Sequence, residues 1–234
     1  MHANSVLFSP LAVARAKIVT LGAPGALHRR MIDSVRSLKD PDHMSIARLI
    51  SDEVARKTPS GIVCEKSVRT CVPVPDEIVL GLARRQFWSR RASRGFVAEG
   101  FPSSVAQAVV FDEWLDSRDE TLTACVLLEQ SEDVLLEEAA KTSRCPSDGS
   151  LYVEALDAQI IPGHCNVCRT PLEPAGEVLA DEVRRWFQCR ESPARAVAAH
   201  YETRGLLVRL DLNAPRQEAI DGVLNRVAEL VADR

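Results

Sequence analysis

The chain has 234 residues, 46% of them hydrophobic, with 29 basic and 33 acidic residues and a net charge of −4. That length supports a core of ordinary size in one globular unit, and the near balance of charge removes any bulk electrostatic case for nucleic acid or an anionic membrane surface. No apolar stretch reaches the roughly 20 residues that cross a bilayer, and the N-terminus lacks the ordered regions of a secretory signal.

Residues 1–15 hold two serines, one arginine and no acid, a composition like that of an organelle transit peptide. The first strand is expected at Lys17–Leu21, which leaves little to cleave, so the cytoplasm is the first expectation and the mitochondrion an alternative. After that strand comes GAPGALHRR, Gly22 to Arg30, leading into a helix over Leu27–Leu38. Glycines at the mouth of a helix let backbone N–H groups converge on an anion, and Arg29 and Arg30 add charge there. Helices follow at Ser45–Arg56 and Pro75–Arg91, where Asp76 and Glu77 offset the helix dipole. A strand at Gly95–Ala98, a helix at Ser103–Leu115, a strand at Leu122–Leu128 and a helix at Glu132–Lys141 continue the alternation. Residues Ser143–Gly176 break it, being rich in Pro, Gly, Cys and Ser without helical period. So long a non-helical insert implies a functional lid or a small stapled subdomain. A helix over Leu179–Arg204, a strand at Leu206–Leu210 and a helix at Pro215–Ala232 complete the chain. Strands alternating with helices imply an α/β fold, a parallel sheet with helices on both faces.

Seven cysteines exceed what a reduced core needs, and their odd number argues against a full disulfide framework. Metal binding therefore enters. Cys64, Cys71, Cys125 and Cys189 show no ligand spacing and read as small hydrophobes.

Five segments occur together in a known order: KIVTLGAPGA, VPVPDEIVLGLARR, GFVAEGFPSSVAQAVVFDEW, VLLEQSEDVLLEEA and HYETRGLLVRLDLNAPRQEAIDGVL. From about Lys17 to Ala232 the chain resembles the adenylate kinases, with GFP followed by A-Q-A and VPDE the most specific matches. The resemblance implies a P-loop NTPase-like fold, a three-layer parallel sheet flanked by helices with a small lid insert. It divides the chain into a core of residues 16–43, 73–142 and 177–234, a monophosphate-binding arm over 44–72 and a hinged lid of the long kind over 143–176. Family lids of that kind often hold a structural zinc. Here Cys145-x2-Asp148, sixteen residues and Cys165-x2-Cys168 reproduce the pattern, with aspartate where many members have cysteine. Paired turns of this type present four tetrahedral donors without a hydrophobic core. His164 is a substitute ligand to weigh beside them.

The chain departs from the family where phosphate is bound. The family's G-x-P-G-x-G-K-G-T reads Gly22, Ala23, Pro24, Gly25, Ala26, Leu27, His28, Arg29, Arg30. Leu27 takes the close-approach glycine, His28 the lysine that reaches the β and γ oxygens, and Arg30 the hydroxyl that helps hold magnesium. The S-T-G-D-x-x-R run of the arm becomes Ser45 to Ser51 without its threonine, acid or arginine, and DGFPRT becomes Glu99 to Ser104 with Ser103 for arginine. Further family arginines fall at Glu138, Thr142, about Ala175 and Trp186. Gln107, which in the family contacts the AMP base, remains. The resemblance thus implies a vestigial nucleotide site of Gly22, Gly25, His28, Arg29, Arg30 and Gln107, with Arg48, Arg84 and Arg144 as the other cations that a relocated centre would use. The expected function is a catalytically inactive adenylate kinase-like protein that serves as an interaction module for protein partners in a larger assembly. Such domains occur in ciliary and flagellar axonemes, which makes the axoneme a further alternative compartment. The other readings are a weak adenine-nucleotide sensor and a divergent phosphotransferase.

Overall fold

Strand β1 (Lys17–Leu21) reads KIVTL and buries its last four residues; β4 (Ala124–Glu129) reads ACVLLE and buries its first five. Strands apolar on both faces belong at the centre of a parallel sheet. In the computed structural model, which describes residues 16–25, 28–29, 32, 42–89, 95–154, 157–213 and 225, they are the middle of one. With β2 (Asp42–Ser45), β3 (Phe96–Glu99) and β8 (Leu207–Asp211) they form a five-stranded sheet in the order β2-β3-β1-β4-β8, every pairing parallel. Seven helices are seen among the described residues: α1 (Ile46–Ala55), α2 (Pro59–Thr70), α3 (Asp76–Ser89), α4 (Val105–Asp116), α5 (Glu132–Ala139), α6 (Gly176–Cys189) and α7 (Glu191–Glu202). Side-chain alternation divides the core in two. Val19, Leu21, Phe96, Ala98, Cys125 and Leu127 face a cluster completed by α1, α3, α4 and α7. Ile18, Val97, Ala124, Val126 and Leu128 face the other way, with Ile32, Val208 and Leu210. Phe87, Phe96, Phe101 and Phe111 meet edge to face in the first cluster, with centroids 5.1 to 6.4 Å apart. That range suits the quadrupoles of aromatic rings.

Strands expected at 95–98, 122–128 and 206–210 agree with β3, β4 and β8 within two residues at each end. The expected helices 27–38 and 215–232 lie largely outside the described residues. Three elements correct the sequence reading. Strand β2, DHMS, carries one buried apolar residue, Met44, and is held by pairing with β3 at the sheet edge. Helix α2 is signalled by Thr58-Pro59, where the Thr58 hydroxyl accepts from the Gly61 amide at 2.9 Å and proline occupies the first turn. The single helix expected over 179–204 is two, because the ring of Pro193 cannot sit against the carbonyl of Cys189 in a continuous helix.

Helices α1 and α2 occupy most of the segment 44–72. Gly61 lets them touch: a Cβ there would stand 2.1 Å from the Glu53 carbonyl oxygen. The insert expected at 143–176 holds a three-stranded antiparallel sheet, order β6-β5-β7, made by β5 (Thr142–Arg144), β6 (Leu151–Val153) and β7 (Glu173–Pro174). Cys71 and Cys189, read from sequence as small hydrophobes, are instead joined by a disulfide across 118 residues. Sequence separation conceals such a pair, since only the tertiary fold brings the ends of α2 and α6 together. No described helix is long and apolar enough to cross a membrane.

Candidate functional site

The C-terminal ends of β1, β3, β4 and β8 gather on one edge of the sheet, the place where open α/β sheets form their ligand crevice. The loop Gly22–Gly25 leaves β1 there. A Cβ on Gly22 would lie 2.8 Å from the Leu128 Cβ, so glycine is what lets the loop pass close to β4. One on Gly25 would meet Leu135 of α5 at 2.8 Å.

His28 turns inward. The residue is 7% exposed, with Nδ1 3.2 Å from the Ala23 carbonyl and Nε2 3.2 Å from the Thr20 hydroxyl. A carbonyl only accepts, so Nδ1 carries the proton and Nε2 accepts from Thr20. Burial lowers the His28 pKa from its ordinary 6.5 against the opposing field of Glu99, leaving a neutral ring spent on its own loop. Arg29 is described, half-buried, and its amide donates to the Gly25 carbonyl at 3.1 Å. Arg30 lies outside the described residues.

Glu99, at the end of β3, accepts from His43 Nε2 at 3.0 Å. Burial pushes its pKa up, but the His43 hydrogen bond and the fields of His28, His43 and Arg29 prevail and hold it at about 2. His43 had no signal in the sequence; it arrives with β2, whose register sets Ser45 beside Glu99. Both groups make stability fall on acidification. Below pH 6.5 the unfolded chain takes a proton at His28 that the folded one resists, and between pH 4.5 and 2 it does so at Glu99. Urea midpoints measured against pH should therefore drop in two steps. Glu99→Gln should flatten the lower one, worth on the order of 3 kcal/mol, and a lower step that survives this variant would assign it elsewhere.

Gln107 is buried at 1% exposure and fully engaged. Its Oε1 accepts from the Ser103 amide at 2.8 Å and the Ser103 hydroxyl at 2.9 Å, and its Nε2 donates to Asp76 at 2.6 Å. Across the crevice Trp186 meets Phe187 edge to face at 5.0 Å, and both pack on Ala23, Leu135 and Val183. They wall a cleft of about 270 Å³ that Gln130, Ser131 and the ion pair of Arg195 with Glu191 also line. Arg144 forks onto Glu182 of α6 at 3.1 and 2.6 Å, and Arg48 and Arg84 are exposed on α1 and α3.

The 143–176 insert holds a second constellation. Two turns of the same design face each other: Gly149 N–H donates to the Cys145 carbonyl at 2.9 Å, and Arg169 N–H to that of Cys165 at 3.0 Å. Both donors have positive φ, 75° and 63°. The turns bring Cys145, Asp148, Cys165 and Cys168 together, with one donor atom of each within 4.8 Å of all the others. Cys145 Sγ lies 3.4 Å from Cys168 Sγ, and Cys165 Sγ 3.1 Å from an Asp148 oxygen. Zinc with sulfur at about 2.3 Å sets tetrahedral edges of about 3.8 Å, so a modest rearrangement of this set, which spans 3.1 to 4.8 Å, would admit it. The outer layer also fits: the Tyr152 hydroxyl and Val167 amide point at Cys165 Sγ at 3.4 Å, and Ser150 N–H holds Asp148 at 2.8 Å. His164 stands outside the cluster, its Nδ1 on the Pro162 carbonyl at 3.0 Å.

No family model matches the chain. It is similar to the adenylate kinase of Moorella thermoacetica, 29% identical over 195 residues that cover 83% of this chain and 90% of that one. It is 26% identical to the adenylate kinase of Thermotoga petrophila over 92% of this chain and 97% of that one, and 23% identical to that of Clostridium botulinum over 93% and 100%. Over most of its length the chain is similar to adenylate kinases. As an adenylate kinase homologue it keeps the parallel sheet, the glycine turn after β1 and a Cys/Asp cluster able to hold a metal ion. Beside the glycine turn it has the inward histidine His28 and the wall of Trp186 and Phe187.

Proposed function

We propose that this adenylate kinase homologue has given up phosphoryl transfer and acts as a structural and interaction module within a larger assembly of proteins, the flagellar or ciliary axoneme being one such setting and the cytoplasm the default. The observation that carries the reading is the apolar wall of Trp186, Phe187 and Ala23 beside the glycine turn. Phosphoryl transfer is mostly positioning and charge neutralisation, and a wall of rings neutralises nothing. The two flanking groups support it, since His28 and Gln107 spend their hydrogen bonds inside the protein. Structural zinc on Cys145, Asp148, Cys165 and Cys168 belongs to the same reading: three sulfurs and a carboxylate in paired turns suit a closed tetrahedral site that holds a lid in shape. A second reading, a sensor that binds adenine nucleotide without turnover, draws on the surviving Gly22 and Gly25 turn and the cation of Arg29.

Calorimetry with ATP, AMP and a bisubstrate analogue at low salt separates the readings. The interaction module gives no heat up to millimolar ligand. Micromolar binding of the analogue would overturn it, and millimolar binding of AMP alone would favour the sensor.

A further inference from the structure

The disulfide between Cys71 and Cys189 joins two parts that otherwise pack separately. Cys71 caps the C-terminal end of α2 in the left-handed conformation, and Cys189 is the last residue of α6, one turn beyond Trp186. Helix α2 rests on α1 through Gly61 and Cys64, while its Ile62, Val63 and Val68 are exposed. Helix α6 rests on α5 and α7. With the two Cα atoms 5.8 Å apart, the bond ties the C-terminal end of α2 to the C-terminal end of α6.

The other five cysteines are free, and three of them form the lid cluster. Thiolates that hold a metal must be reduced, so a chain with a working lid cluster is suited to a milieu that supplies thiols. Both bridged residues are half-buried, within reach of such a thiol. Disulfides in reducing milieux are mostly transient or redox-sensing.

We propose that Cys71–Cys189 is a reversible thiol–disulfide exchange site whose co-reactant is a dithiol, and that its reduction releases the 44–72 arm from α6. A thiolate of the dithiol attacks one sulfur, forming a mixed disulfide and expelling the other sulfur as a thiolate, which takes up a proton. The second thiol of the reagent, after losing its proton, closes the reagent's own disulfide and expels the remaining cysteine. Two electrons and two protons pass to the protein, and the oxidised reagent reverses the step. This device is independent of whether the cleft binds nucleotide.

The test uses the full chain equilibrated with oxidised or reduced dithiothreitol. Alkylation after denaturation counts thiols, and hydrogen exchange follows the amides of 46–70. The expected result is five reactive cysteines in the oxidised form and seven in the reduced one, with exchange in α2 at least about tenfold faster on reduction and unchanged in β1 and β4. Cys189→Ser and Cys71→Ser should each show the fast pattern in oxidised buffer and no response to reductant, with zinc content unaltered, which separates release of the arm from damage to the lid. Seven thiols in the oxidised protein, a bond that survives millimolar dithiothreitol in the native state, or equal α2 exchange in both forms would each overturn the proposal; the reagent arms decide it even where a variant fails to fold.

Discussion

Purified protein given magnesium, ATP and AMP should form ADP at least about 10⁵-fold more slowly than an active family member assayed beside it. Loss of one preorganised donor typically costs about 10² to 10³ in rate, and loss of a finger-type arginine about 10³ to 10⁵. These penalties overlap, yet on the proposed reading the family's lysine and several arginines are replaced together, by His28, Ser103, Glu138, Thr142 and Trp186. The environment opposes a simple repair. His28 is buried and neutral, and Trp186 packs on Ala23, so His28→Lys alone should restore no turnover. A coupled assay on protein from a host whose own adenylate kinase is excluded measures this directly. Turnover within a hundredfold of the active relative, blocked by a bisubstrate analogue, would sink the idea and place the catalytic cations elsewhere.

Removing the lid metal should have the largest structural effect. Structural zinc sites contribute apparent binding energies of about 10 to 16 kcal/mol in zinc-finger peptides, and the lid has little else. Its buried apolar cluster is Tyr152 with Cys145 and Cys165 themselves, helped by Leu172. Protein purified without chelator should carry one zinc per chain by atomic emission. Chelation should erase hydrogen-exchange protection over 142–174 while β1, β3 and β4 keep theirs, because the two sheets have separate cores. Cys165→Ser should release the metal, whereas Asp148→Cys, which completes a four-sulfur set, should retain it. Lid protection that is indifferent to chelation would mean that packing alone holds the segment.

The fold was legible in the sequence wherever local pattern and core burial agree. KIVTL and ACVLLE are apolar on both faces, and only the middle of a parallel sheet accommodates that. The Cys/Asp cluster was legible too, because a four-donor group made from two short turns writes its spacing directly into the chain, Cys145-x2-Asp148 and Cys165-x2-Cys168. The positions of His28 and Trp186 could be read from the sequence, but not what their side chains do. Whether an imidazole faces solvent or its own loop depends on Thr20 and Ala23, and whether a tryptophan is exposed or forms a wall depends on Phe187 and Val183. The helix break before Pro193 was available from proline chemistry and was missed under a long apolar period. Strand β2 and His43 carried no signal, since an edge strand of four residues is created by its neighbour rather than by its own composition. The Cys71–Cys189 bond lay furthest from reach. Sequence determined which residues carry sulfur, charge and apolar surface along each element. Tertiary structure alone decided which of them meet, because partners 118 residues apart are chosen by how helices pack and by nothing local to either one.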